Sequence, residues 1–164
     1  MLFIRRLIAY WLDCVMLGAC LIGAQFLLYT ANSGYPFQAF DTGWKIELWV
    51  LGTMSLPIWL YFVGCEFKYK QTLGKRICNL KVTNSSGSAI SLSQAIGRTA
   101  IKLFPWEVTH LILLIPDPWM WTETPSHAYL IYIPNVLLVL YVAVLGLTKG
   151  RLSLHDRLFR THVH

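Results

Sequence analysis

The sequence predicts an all-α membrane protein with four transmembrane helices and both termini on the cytoplasmic side. Three observations carry that expectation. The 164 residues are 55% hydrophobic and only 13% charged, with a mean hydropathy of +0.51, too little charge to cover a water-soluble domain of this size. Four apolar runs recur, at about 7–29, 46–64, 99–115 and 128–147. Of fourteen Lys and Arg, only Lys45 lies in the two loops that would face outward, and the positive-inside rule puts the other thirteen in the cytoplasm. The loop 116–127 holds Asp117 and Glu123 and no base. The whole chain, 1–164, reads as one domain in a cell inner membrane.

The first run opens after Arg5 and Arg6 and reads as a plain helix. Leu17-Gly18-Ala19-Cys20 resembles a lipoprotein cleavage box. Asp13 interrupts the run, however, and it continues to Tyr29, which argues for a retained span rather than a signal. The outer loop 30–45 is rich in turn formers and carries Tyr35, Phe37, Phe40 and Trp44 for the interface. The second run contains Pro57, expected to kink its helix, with Glu47 solvated at the outer end and Glu66 at the inner end beside Lys68 or Arg98.

The cytoplasmic connection 65–98 is structured. Ile77–Thr83 has β-branched residues, Asn84–Ser88 is a turn cluster and Ala89-Ile90 can pair back, which predicts a short β-hairpin. Ser91 or Ser93 offers an N-cap. Leu92, Ala95, Ile96, Thr99, Ala100 and Leu103 then fall at helical spacing, predicting an interfacial amphipathic helix with Arg98 and Lys102 near the head groups. Pro105 is expected to bend it into the third run, the weakest, where Glu107 and His110 share one face. The fourth run is cleanly apolar. Beyond it, Ser153 is expected to cap a helical turn carrying His155, Asp156, Arg157 and Arg160, and His162 and His164 read as a solvated end.

Asp13 is the most informative single residue. A central acid in a membrane helix costs about 2.5–3.5 kcal/mol on insertion scales, so it must be paired or used. Arg6 is seven residues away, about 10 Å along the axis, near enough to share a face and too far to touch. The candidate partners are Arg157, Arg98, Lys102 or a bound cation. Either Asp13 lines a hydrated path for Na⁺ or a proton, since hard cations take oxygen ligands, or it forms a structural ion pair. Glu107 and His110 offer a second polar site, as a proton relay or as groups reaching interface water. Lys75, Arg76, Lys81 and Arg98 offer an anion seat for lipid head groups or a soluble phosphate such as a nucleotide, although topology by itself also accounts for these bases. The four cysteines have no metal-ligand spacing and read as packing residues. No nucleophile, metal set or nucleic-acid signature is present, so neither an enzyme, a cofactor nor a nucleic-acid partner is expected.

Three segments taken together resemble the RDD family of small membrane proteins, named for one Arg and two Asp. They are Arg6-Leu-Ile-Ala-Tyr-Trp-Leu-Asp13, Thr72-Leu-Gly-Lys-Arg76 followed by Leu80-Lys-Val82, and Leu154-His-Asp-Arg-Leu158. Ser91-Leu92, Arg98 and Glu66 fit the same pattern. The resemblance identifies the family letters as Arg6, Asp13 and Asp156, and makes Arg157, Glu66 and Arg98 members of a charge network. It implies a multi-pass helical domain and, in some members, cation transport as Na⁺/H⁺ exchange or channel behaviour. The leading expectation is therefore a homo-oligomer that conducts Na⁺ or exchanges Na⁺ for H⁺, with Asp13 at the path; Glu107 and His110, which no family motif covers, are further path candidates on their own chemistry. The alternative, from a different class, is a membrane scaffold or assembly partner that transports nothing.

Overall fold

A computed structural model describes residues 1–121 and 127–164; Glu123, part of the predicted outer-loop charge pattern, lies outside the described residues. The elements in order are α1 (Leu2–Ala31), α2 (Gly43–Tyr69), α3 (Leu73–Ile77), β1 (Val82–Asn84), α4 (Leu92–Leu114), α5 (Tyr132–Leu147), α6 (Leu154–Leu158) and β2 (Thr161–Val163). Among the described residues, three helical segments are long and apolar enough to cross a membrane: α1, α2, and α5 with the 3-10 turn Ala128–Ile131 that leads into it. Large apolar side chains face outward along all three, such as Trp11, Phe26 and Leu27 on α1 and Val136, Val139 and Leu140 on α5. Lipid, not a protein core, is the medium that suits such a surface.

The fourth long helix, α4, departs from the expected architecture. The predicted interfacial helix and third span are one continuous helix, opened by a capping box in which Ser91 and Gln94 satisfy each other's backbone N–H groups. It runs through Pro105 without ending. Proline removes one backbone donor and so orphans the carbonyl four residues earlier. That carbonyl, on Ile101, accepts instead from Tyr141 Oη of α5 at 2.7 Å. Being too polar to face lipid, α4 is the central strut: Ala95, Arg98, Thr99, Leu103, Pro105, His110 and Leu114 are all buried, and α2, α5 and α6 pack around it.

Along α2, the turn Leu51–Ser55 is a π-helix, placed just before Pro57. The wider i→i+5 turn rotates Ser55 inward, where it is buried against α4. Such single π turns in α-helices mark places where a side chain is re-aimed.

The predicted hairpin is not formed. The turn at Asn84–Ser88 exists, with Asn84 N–H bonded to the Ser88 carbonyl at 3.0 Å, but Ile77 closes α3 and Ala89-Ile90 is not a strand. β1 pairs antiparallel with the C-terminal β2, in the register Val82↔Val163, Thr83↔His162 and Asn84↔Thr161. The tail is thus part of a sheet rather than a free end: Lys81 and His164 exchange both backbone hydrogen bonds. Val163 wins the pairing because it brings an apolar side chain to Leu80, Val82, Ile90, Ala95 and Ala9, which form the small buried core at this end. Two isolated strands would be marginal without that face.

α1 is held mainly through α3. Gly74 lies so close to α1 that a Cβ there would overlap the Ala9 carbonyl and the Asp13 carboxyl group. Gly74→Ala is expected to lower stability by about 1–3 kcal/mol, the usual cost of overpacking. Gly18→Ala and Gly64→Ala, whose added Cβ meets nothing within 4 Å, leave it unchanged or slightly raised. Thermal unfolding in detergent measures the difference, and equal midpoints for all three variants would refute the close-contact account.

Candidate functional site

Two groups of buried ionisable residues lie along the seam between α2 and α4, and a third polar site joins α1 to α3. The first group centres on Arg98, whose side chain is 0% exposed. Its Nε donates to Glu66 Oε2 at 3.0 Å, and its Nη1 donates to Asp156 Oδ1 and to Thr161 Oγ1. One guanidinium thus binds α2, α6 and β2 together, a use for which its rigid fork suits Arg better than Lys. Glu66 Oε1 also accepts from Lys75 at 2.5 Å and Lys102 at 2.6 Å. Asp156 Oδ2 accepts from Arg6 at 2.5 Å, and from the backbone and hydroxyl of Ser153 in the capping box of α6. Arg6 also donates to the Gly150 carbonyl at 3.0 Å.

Burial by itself would raise the Asp156 carboxyl. His155, Arg6, Arg98 and the Ser153 hydrogen bond outweigh it and hold Asp156 below the usual carboxylate range. Burial pushes the Lys75 ammonium down to about 8, a shift that Glu66 opposes and that Lys102 and Arg98 reinforce. Burial likewise holds His155 well below the ordinary imidazole range, with Arg98, Lys102 and Arg6 adding to the effect and Asp156 opposing it.

The second group sits toward the other end of the seam. His110 presents Nδ1 to Glu47 Oε2 at 2.8 Å and Nε2 to Glu107 Oε2 at 2.9 Å. Ser55 donates to Glu107 Oε2 at 3.1 Å, and Trp59 Nε1 donates to Glu107 Oε1 at 2.9 Å. Glu47 is 1% exposed, and its Oε1 has no partner among the described residues. Two N···O contacts of this length need two bridging protons. Either the imidazole is doubly protonated between two carboxylates, or it is neutral and one carboxyl holds the second proton. The cluster can therefore store a proton in more than one place.

The third site is Asp13. Its carboxylate accepts from Tyr61 Oη at 2.6 Å, Thr72 Oγ1 at 2.5 Å and the Gly74 N–H at 2.8 Å. Thr72 caps α3, and Tyr61 Oη in turn accepts the Leu73 N–H at 2.9 Å. Three neutral donors thus replace the water that a buried carboxylate loses.

A model of the RDD family matches residues 2–160. The chain belongs to the RDD family. No curated protein and no solved structure matches it.

In this RDD protein Arg6 and Asp156 meet directly, and Asp13 stands apart from both on neutral donors. The expected cationic partner of Asp13 is absent among the described residues: Arg98 and Lys102 are taken up by Glu66 and Asp156, and Arg157 is exposed. The close α1–α3 contact at Gly74 puts backbone and hydroxyl donors where a salt bridge was expected. Arg6 turns inward, because Asp156 is folded under it. Two further expectations are corrected. Arg98 is sealed in the protein rather than lying near head groups, because α4 carries it between α2 and α6. Glu47 is buried rather than solvated, because it faces His110.

The four anion candidates do not form one seat. Arg98 is buried, Lys75 is bound to Glu66, and Arg76 and Lys81 are exposed. The residues of these three sites that sequence reasoning missed include Ser55, Trp59, Tyr61 and Thr161. Each is an ordinary residue in an apolar or strand-like context, and its role comes from a partner more than 45 positions away.

Arg98→Gln is expected to cost about 3–5 kcal/mol, because it leaves two buried carboxylates without their shared cation. The read-out is the unfolding midpoint in detergent, and a loss under 1 kcal/mol would contradict the hub role. His155 takes no proton in the folded state at pH values where the unfolded chain, near 6.5, does. Its contribution to stability is complete above about pH 6.5 and is lost as the pH falls below that value. The unfolding midpoint should thus drop between pH 7.5 and 5.5 more steeply in the wild type than in His155→Gln. Parallel pH curves would show that His155 is not held neutral.

Proposed function

We propose that this RDD protein transports cations across the cell's inner membrane and handles protons at the Glu47–His110–Glu107 cluster. In this reading α4 is the third of four spans and both termini are cytoplasmic, as the charge distribution indicates. The observation that carries it is His110 with both ring nitrogens on carboxylates, inside a helix bundle whose outer faces are apolar. Ionisable groups kept in such a place are costly and mark ion or proton pathways by default.

Two features support the reading further. Along α2, Glu47 and Glu66 are separated by about 28 Å, close to the thickness of a hydrocarbon core, so the two ionisable groups approach opposite faces of the membrane. Oε1 of Glu47, without a partner among the described residues, offers an oxygen ligand for a hard cation such as Na⁺. Cation entry and proton release at the same carboxylates would then exclude one another, which is the condition for exchange. Four helices enclose little space, so in this reading a second copy of a homo-oligomer closes the path over the open groove that Glu107 lines beside the cluster. Asp13, held by three donors, serves as the clamp between α1 and α3.

The test is flux in proteoliposomes. An exchanger moves Na⁺ only when a proton gradient is imposed; a channel passes current on a Na⁺ gradient alone. Glu107→Gln and His110→Gln are expected to bring flux down to that of protein-free vesicles while the protein stays folded. Asp13→Asn is expected to lower the unfolding midpoint and to leave flux per folded molecule unchanged. Full flux in both cluster variants would remove the cluster from the path. A folded wild type with no flux at all, recovered with a stoichiometric membrane partner, would instead favour the scaffold reading.

A further inference from the structure

A cavity of about 440 Å³ opens between α1, α4 and α5, touching Asp13 on one side and clear of the His110 cluster. α1 and α5 touch where Phe3 lies against Gly150 and Gly146. From there the two helices part, leaving an apolar slot walled by Trp11, Phe62, Trp106, Leu138 and Val142. Along α5 it runs from Leu145 to Pro134, about 16 Å. Its volume falls within the range of about 300–1,000 Å³ typical of small-ligand sites.

One end of the slot has a different chemistry. Arg6, Lys75 and Lys102 line it there, together with Ser153 and His155. Lys75 and Lys102 each spend one N–H on the same oxygen, Glu66 Oε1. An ammonium carries three donors, and neither group has another acceptor among the described residues. Lys102 also sits 4.4 Å from the centre of the Phe62 ring, which itself lines the slot. Arg6, Lys75, Lys102 and Asp13 line this end, and with the buried Arg98, Glu66 and Asp156 behind them the group holds four cations and three carboxylates. Asp13 opposes an anion, but both its oxygens are already occupied by donors. The positive surplus and the unspent ammonium donors therefore stand at the mouth of an acyl-sized apolar groove.

We propose that this slot binds one anionic phospholipid of the surrounding bilayer, with an acyl chain between α1 and α5 and its phosphate at Lys75 and Lys102. The charge pairing and the apolar walls each require one half of an amphiphile, and a bilayer supplies that molecule at high local concentration. The site is independent of the transport reading, since it would exist in a scaffold as well.

Native mass spectrometry of the full chain, released from nanodiscs of equal phosphatidylglycerol and phosphatidylcholine with matched acyl chains, tests it. The expected result is one retained lipid per protomer, with phosphatidylglycerol at least tenfold over phosphatidylcholine. Val142→Trp fills the slot without touching a charge, and should abolish retention while the unfolding midpoint stays within a few degrees. Lys102→Gln should reduce the preference to near parity; if it fails to fold, Val142→Trp still decides. A photoactivatable acyl chain should label peptides containing Trp11 and Leu138 above those containing Phe26. Equal retention of both lipids, retention undiminished in Val142→Trp, or uniform labelling would each overturn the proposal. So would inorganic phosphate alone giving the same thermal stabilisation as phosphatidylglycerol, since the head group would then suffice without the chain.

Discussion

The buried guanidinium of Arg98 is the constraint on which the rest of the architecture depends. It is wholly inside the protein and must be neutralised there, because an unpaired charge in such a medium is untenable. Glu66 and Asp156 do this from opposite sides, and each carboxylate brings its own segment: Glu66 the end of α2, Asp156 the capped turn of α6. Arg6 then closes on Asp156 and draws in the start of α1. Four segments far apart in sequence are thereby fixed at one end of the bundle without a large apolar core. That suits a protein whose apolar surface is committed to lipid, where the hydrophobic effect offers little to hold helices together.

The same logic explains why α4 can be the least apolar of the four long helices and the most buried. Most of its polar side chains are satisfied along the seam with α2, by the Glu66 group at one end and the His110 group at the other, while Arg98 Nη2 and Thr99 Oγ1 are buried with no partner among the described residues. Even its proline defect is covered, by Tyr141. The two groups differ in kind. Around Arg98, every carboxylate oxygen has a cation or a cap, an arrangement that resists change. Around His110, protons can be distributed in more than one way, and among the described residues one oxygen of Glu47 is left over. The seam thus ends in rigid pairing on one side and in a variable protonation state on the other.

Some of this was legible in the chain. Leu7–Tyr29, Ile46–Gly64 and Ala128–Leu147 announced long apolar helices, and each corresponds to a helix long enough to cross a membrane. Ser91 and Ser153 were readable as caps because capping is local chemistry within three residues. Glu107 and His110 could be put on one face by spacing alone. Glu47 could not be added to them: nothing near position 47 shows that it meets a histidine 63 residues later. The hairpin failed for the same reason. Val82–Asn84 has the composition of a strand, but a two-residue candidate nearby and a tail eighty residues away look equally able to pair.

The sequence by itself determined the helical class, the apolar lengths, the clustering of bases along the chain and the family, because each depends on composition, period or order along the chain. Only the tertiary structure decided which charges meet. Arg98 finds Glu66 and Asp156, Asp13 finds Tyr61, Thr72 and Gly74, and β1 finds β2. The physical reason is that hydrogen bonds and ion pairs act over about 3 Å, and in a bundle that distance is set by how the helices are placed against one another, not by separation in the sequence.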